Sequence, residues 1–270
     1  MTTSRVPIEI VVQPWFKDHS FNGRIVLPAV ETMNLLAAEV AGGYPDMEVR
    51  VMEQARFARF LEIPPHCTKV DALIECRNEN GSICAKLLRR TAFKTMTRLR
   101  EHGEIRFSPV PLPDRLNPAA TVRKPEESAI KVPAERIYRE MVPFGPAYQT
   151  LTGILLLSEK GAWGTLQAPL LPEANISQRI GSPFPLDGAL HAACVHGQQY
   201  VDFVPFPVGF ARRVINKPTR PGQTYGITIV LVSRTTEELV FDLVISDNDG
   251  QICETVTGVR MRNVEKTMKN

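Results

Sequence analysis

The sequence predicts an α+β fold built twice over, each copy a short apolar helix packed on a curled antiparallel sheet. Three observations carry this expectation. A proline-rich stretch divides the 270 residues. Each half then shows a helical pattern followed by strand patterns. A turn sequence late in the second half echoes one in the first, as duplication of a single unit would produce.

The dividing stretch lies between residues 109 and 133 and holds Pro109, Pro111, Pro113, Pro118, Pro125 and Pro133 with few apolar residues between them. Proline fixes φ and donates no hydrogen bond, so an extended linker is expected. The expected units are residues 1–120 and 121–270.

In the first half a strand over 8–13 leads through a loop around Trp15 to Asn22. A helix follows near Pro28, which suits a first helical turn, with Val30, Met33, Leu36, Ala37 and Val40 at helical spacing. Gly42-Gly43 should end it through the left-handed conformation glycine tolerates. Strands are expected over 49–60, 69–77, 82–93 and 97–107, with Asn80-Gly81 as a hairpin turn.

The second half repeats the order. Strands over 153–157 and 163–168 precede Pro185-Leu186-Asp187, where a helix should run to about residue 200. Ala189, Leu190, Ala192, Ala193, Cys194 and Val195 make it apolar on most sides, which marks a buried helix. Strands over 225–233, 238–246 and 251–262 complete the unit, with Asp249-Gly250 at the last hairpin. The echo is Asn80-Gly81-Ser82-Ile83-Cys84 against Asp249-Gly250-Gln251-Ile252-Cys253.

Composition narrows the function classes. With 43% hydrophobic and 23% charged residues the chain reads as an ordinary soluble globular protein. Five scattered cysteines without a CxxC pair argue against a zinc site and a disulfide framework, and favour a reducing, cytoplasmic setting. No signal peptide and no run long enough for a membrane span is present. The net charge of +3 is small, and the basic pairs Arg89-Arg90 and Arg212-Arg213 read as solvated faces, with docking of an acidic partner as the alternative. No dense basic stripe with stacking aromatics suggests nucleic acid. No glycine-rich phosphate loop suggests a nucleotide, and His191 and His196 lack the HExxH zinc spacing. His66, His102 and His196 read as structural or surface residues, and Trp15 and Trp163 as core or pocket wall. An initial methionine and a polar end over 265–270 suggest a free-standing protein, an excised domain being the alternative.

Two ionisable groups stand at corresponding places, each at the mouth of its helix: His19 before the first and Asp187 at the start of the second, with His191 one turn on. Singly, His19 also fits a surface loop and Asp187 a helix cap. If the halves pair, the two mouths face one pocket, and an imidazole with a carboxyl makes an acid–base couple.

Residues 19–28 read HxxxGxxxxP, from His19 through Gly23 to Pro28, and Asp187 to His191 reads DxxxH. These motifs resemble the signatures of polyketide-synthase dehydratase domains, which have a double-hotdog fold. Phe144-Gly145-Pro146-Ala147-Tyr148 resembles the family's YGPxF segment, Val204-Pro205-Phe206-Pro207 its LPF segment, and Asp249-Gly250 through Arg260 its closing strand. The landmarks run in the family's order along nearly the whole chain. Phe144 departs from the family tyrosine and has no hydroxyl to donate. Met141-Val142 stands where the family has Gly-Tyr.

The resemblance implies a 3-hydroxyacyl thioester substrate on the phosphopantetheine of an acyl carrier protein, polyketide-synthase components as partners, and no other cofactor. A homodimer is also in view. His19 would take the C2 proton and Asp187 protonate the leaving hydroxyl, with His191 orienting Asp187, and Gly23, Pro28, Phe144, Gly145 and Pro146 supporting the site. The acid role needs a raised Asp187 pKa, which apolar Phe184, Pro185 and Leu186 favour and the helix N-terminus opposes. Backbone N–H groups near Gly23 and the first helix N-terminus are the candidates to hold the thioester oxygen. The alternatives are a double-hotdog isomerase or cyclase using the same pair, and a non-catalytic acyl-binding module.

Overall fold

The computed structural model describes residues 3–92, 97–109, 129–172 and 174–264. The first half supplies β1 (Thr3–Val11), the short β2 (Ser20–Phe21) and β3 (Arg24–Ile25), helix α1 (Ala29–Gly43), then β4 (Val51–Arg56), β5 (Lys69–Glu79), β6 (Ser82–Ala92) and β7 (Thr97–Phe107). The second supplies β8 (Ile130–Pro133), the short α2 (Ala134–Arg136) running into a π-helical turn Ile137–Met141, β9 (Leu151–Leu157), β10 (Gly161–Gln167), α3 (Ser177–Ile180) and α4 (Pro183–Gly197). β11 (Phe206–Ile215), β12 (Thr224–Arg234), β13 (Glu238–Ser246) and β14 (Ile252–Arg262) follow.

Twelve strands form one antiparallel sheet in the order β1-β5-β6-β7-β4-β11-β14-β13-β12-β10-β9-β8. Its symmetry is the duplication. In each half the helix is followed by an inner strand (β4 or β11) and then a three-stranded meander. The last meander strand pairs with the inner strand, and the first pairs with a strand that precedes the helix. The halves join where β4 meets β11 in register, Met52 opposite Arg213 and Val51 opposite Val214. α1 packs on β5, β6 and β7, α4 on β9, β10, β12 and β13, and the helices pack on each other. This is a double hotdog.

Burial follows the sequence. α1 turns Val30, Met33, Leu36, Ala37 and Val40 inward, while every residue of α4 is buried. Asn80 (φ 54°) and Gly81 (φ 84°) make the expected turn between β5 and β6.

Several expectations are corrected. α1 runs through Gly43 and closes by Tyr44 N–H donating to the Val40 carbonyl at 2.8 Å, with neither Gly42 nor Gly43 left-handed. α4 starts at Pro183, where proline suits the first helical position, and ends at Gly197. The turn echo joins non-equivalent hairpins: Asn80-Gly81 links β5 to β6, whereas Asp249-Gly250 links β13 to β14, the counterparts of β6 and β7. The topology carries the duplication, and the echo does not. Pro133 closes strand β8 rather than an open linker, and the boundary near residue 120, with Pro111, Pro113, Pro118 and Pro125, lies outside the described residues. The terminal segment 265–270 lies outside them as well.

Arg213 is not on a solvated face. It is buried in β11 with Nε 2.8 Å from Glu254 Oε1 and Nη2 3.1 Å from Oε2, while Nη1 lies 3.4 Å from the Met33 sulfur. One guanidinium thus ties β11, β14 and α1 together at the seam.

Candidate active site

The site is assembled from three loops and one helix. Residues Pro14–Asp18 form a 3-10 turn closed by the His19 N–H on the Phe16 carbonyl (3.1 Å). Just beyond it, Asn22 (φ 49°) and Gly23 (φ 74°) fold β2 tightly onto β3. That turn requires positive φ at both positions, which these two residue types tolerate. Val26 returns beside His19, its N–H donating to the His19 carbonyl at 3.1 Å. The His19 Nδ1 lies 3.0 Å from the Val26 carbonyl. A carbonyl only accepts, so Nδ1 carries the proton and Nε2 keeps its lone pair.

His19 is half-buried, and what it exposes faces the cavity it lines. Its ring is stacked on Phe144 at 4.4 Å and meets Tyr148 edge-on at 5.0 Å. Loss of hydration pushes its pKa below the ordinary 6.5. Asp187 pulls it back up, and His191 pushes it further down.

Asp187 is the fifth residue of α4, and Ser182 holds the cap position, so Asp187 is not a helix cap. His191 Nε2 sits 3.0 Å from Asp187 Oδ2, both side chains buried. The ring N–H is not aligned on that oxygen, so the contact is one of proximity rather than a formed hydrogen bond. On the far side of His191, Nδ1 lies 3.5 Å from the Tyr138 hydroxyl, which accepts the Leu151 N–H at 2.8 Å. Burial pushes the Asp187 carboxyl up. The charges of His191 and His19, and the closeness of the His191 ring N–H, outweigh it and hold the carboxyl below its ordinary value. The two imidazoles are what oppose a raised carboxyl pKa here.

Phe144 stands between the imidazoles, its ring 4.4 Å from His19 and 4.9 Å from His191. Its loop is clamped by Asp18, a residue sequence reasoning missed. The Asp18 carbonyl accepts the Gly145 N–H at 2.7 Å, and Asp18 Oδ2 accepts the Ala147 N–H at 2.9 Å. A Cβ on Gly145 would fall 2.6 Å from the Asp18 side chain, so only glycine allows this approach. Pro146 opens the 3-10 turn Pro146–Tyr148 that follows. The only signal for Asp18 was its place beside His19. Its partners are more than 120 residues away.

His19, Phe144, Asp187 and His191 line one cavity of about 310 Å³, with Val204, Pro205, Phe206 and Pro207 on another wall. Gly145 and Pro146 hold the Phe144 loop. Gly23 and Pro28 do not line the cavity. Gly23 is exposed in its turn, and the Pro28 carbonyl accepts the N–H groups of Glu31 and Thr32 in the first turn of α1, at 3.1 Å each. His102, expected to be structural or surface, lines the cavity with Nδ1 3.1 Å from the Phe60 carbonyl. Burial lowers its pKa. His196 is buried with Nε2 2.8 Å from the Ser158 carbonyl, and His66 is exposed. Among the described residues, no His, Cys, Asp or Glu cluster is arranged to hold a metal ion. No helix there is long and apolar enough to cross a membrane.

Over half of the chain, residues 116–269, matches the model of the family described as polyketide synthase dehydratase N-terminal domain. The chain belongs to this family. Polyketide synthase ThaG of Burkholderia thailandensis is 23% identical over 258 residues, 93% of this chain, which spans about 4% of that relative's length. Among solved structures, a trans-AT polyketide synthase dehydratase domain from Brevibacillus brevis superposes with a TM-score of 0.74 at 18% identity, covering 97% of this chain and 94% of that one. An N-terminal dehydratase from the difficidin assembly line gives a TM-score of 0.74 at 16% identity, covering 99% and 95%. The bifunctional dehydratase-cyclase domain of ambruticin biosynthesis gives 0.71 at 18%, covering 96% and 91%. At these identities the structural likenesses establish the double-hotdog fold that polyketide synthase dehydratase domains share.

Proposed function

We propose that this family member removes water from a 3-hydroxyacyl thioester carried on an acyl carrier protein, giving the 2-enoyl thioester. The supporting observation is the meeting of His19, from one half, with the Asp187–His191 pair, from the other, in a single cavity.

His19 is suited to act as base. Its Nδ1 proton is committed to the Val26 carbonyl, its Nε2 is free, and burial keeps the ring neutral near pH 7. It would abstract the C2 proton, which the thioester acidifies. As the electron pair moves to form the C2–C3 double bond, the C3–oxygen bond breaks, and the departing hydroxyl takes a proton to leave as water. Asp187 would deliver that proton. With its carboxyl held low by the imidazoles, it does not store the proton alone. His191 Nε2, 3.0 Å from Asp187 Oδ2, would pass a proton to the carboxyl once its ring turns into line, and the carboxyl would hand that proton to the leaving oxygen. The positive end of α1, whose first residue Ala29 lines the cavity, favours the charge that builds on the thioester oxygen.

The test is to incubate the protein with a 3-hydroxyacyl thioester on a carrier protein and follow mass and double-bond absorbance. An enoyl thioester, lighter by one water, is the expected product. A shifted double bond or a ring would assign the same residues to an isomerase or cyclase. Binding without conversion would make the chain a non-catalytic acyl-binding module.

A further inference from the structure

The active-site cavity has an open end and a closed one. At the open end Phe57, Arg59, Phe60, His102 and Pro207 are shared with a second cavity of about 370 Å³. Toward the other end α4 forms the floor. Asp187, Leu190, His191 and Cys194 all line the cavity, and their spacing puts them on one helix face. From Asp187 to Cys194 is about two turns, or about 10 Å. Met141, Val142 and Pro143 supply the facing wall.

Gln198 joins this floor to this wall. It follows directly on α4, and its backbone N–H donates to the Cys194 carbonyl at 3.0 Å. Its side-chain Nε2 donates to the Met141 carbonyl at 3.3 Å and lies 3.4 Å from the Cys194 sulfur. Met141 ends the π-helical turn, where carbonyls lack a helical partner and are free to accept. Cys194 is buried, and loss of hydration pushes its thiol up to about 12. The thiol therefore stays neutral and meets the cavity as a small apolar group. Gln198, half-buried, stands behind it without lining the cavity.

We infer that Cys194 and the Gln198 bridge set the length of acyl chain that the site accepts, by closing the cavity beyond the reacting carbons. The inference rests on the dehydratase reading and deepens it to a substrate class, 3-hydroxyacyl thioesters whose free end stops at Cys194. In that reading Asp187 stands at C3. A thioester that enters from the open end then lays its further carbons along α4, toward Cys194. Each methylene that reaches the apolar wall there leaves water and adds affinity. The first one past Cys194 meets the Gln198 bridge, and must break it or fold back.

The test is calorimetric titration of the intact protein with saturated, straight-chain acyl-pantetheine thioesters of rising length. Affinity should climb about fourfold per methylene, the scale of burying one such group, and stop climbing at one length. Gln198→Ala removes the bridge from a half-buried residue, so the limit should move to longer chains while shorter ones bind as before. Cys194→Leu fills the end of the cavity and should move the limit to shorter chains. Cys194 lies in the core, so circular dichroism must show that variant folded; if it is not, the Gln198 variant decides alone. Affinity that ignores chain length, affinity that climbs without limit, or a limit unmoved by Gln198→Ala would overturn the inference. These readouts need no turnover. Failure of dehydration in the assay above would count against the catalytic reading alone.

Discussion

At the scale of single residues, the site turns on keeping one imidazole neutral and another close to a carboxylate. Phe144 serves both, since its ring covers His19 on one side and His191 on the other. His19 must be neutral to accept a proton, and its pKa lies below 6.5 because it is poorly hydrated. Dehydration should therefore be level near neutrality and fall as pH drops through a value below 6.5. Phe144→Ala admits water to the imidazole, stabilises its charged form and moves the acid limb to higher pH. A pH profile of kcat/KM for parent and variant checks this, and an unmoved limb would separate Phe144 from the titration of His19. This role could not be read from the sequence, where Phe144 registered as a supporting residue of the site and as a tyrosine lacking its hydroxyl. The stacking depends on a loop from one half lying against a turn from the other.

At the scale of elements, two devices hold the site in place. The first is the Asp18 clamp on the Phe144 loop. Gly145→Ala puts a methyl 2.6 Å from the Asp18 side chain, so the loop must shift. Because the clamp fixes Phe144 rather than the core, turnover should fall by about tenfold or more while thermal stability changes little. A displacement near 1 Å at a site costs that much or more. Steady-state kinetics beside a melting curve measures both. The second device is the buried Arg213–Glu254 pair. Arg213→Leu strands a carboxylate with its side chain only 2% exposed, and the expected loss is about 3–5 kcal/mol by denaturant titration. A loss under about 1 kcal/mol would mean the pair is not the seam's anchor. Elements whose pattern is purely local were legible: β7 and β13 fall where alternation placed them. β11 was not, because Arg212-Arg213 read as surface, while in the fold Glu254 neutralises the buried Arg213 and a bulge between Pro207 and Gly209 bends the strand. The helical turn over Ala134–Met141, directly after the proline-rich stretch, was assigned no element from the sequence.

At the scale of the molecule, His19 and Asp187 belong to different halves of one sheet, joined through β4 and β11. Residues 1–120 and 121–270 expressed apart should each be inactive and poorly soluble, since each would expose the helix face and strand edge that the other covers. Co-expression should restore dehydration, and full activity in either half alone would refute a shared site. Placing His19 and Asp187 at matching helix mouths was within reach of the sequence, because it needs only the order of helix and strands in each half. The lowered pKa of Asp187 was not, because it depends on the 3.0 Å approach of His191 to Asp187 and on how buried charges answer one another. The central claim is that His19 and Asp187 act as one couple on a 3-hydroxyacyl thioester. The most direct measurement compares dehydration rates for the parent, His19→Ala, Asp187→Asn and the double variant, all verified as folded. Each single change should cost at least ~10²-fold, and the double variant should be no slower than the slower single one. Turnover in either single variant at the parent's rate, or losses that multiply in the double variant, would contradict it.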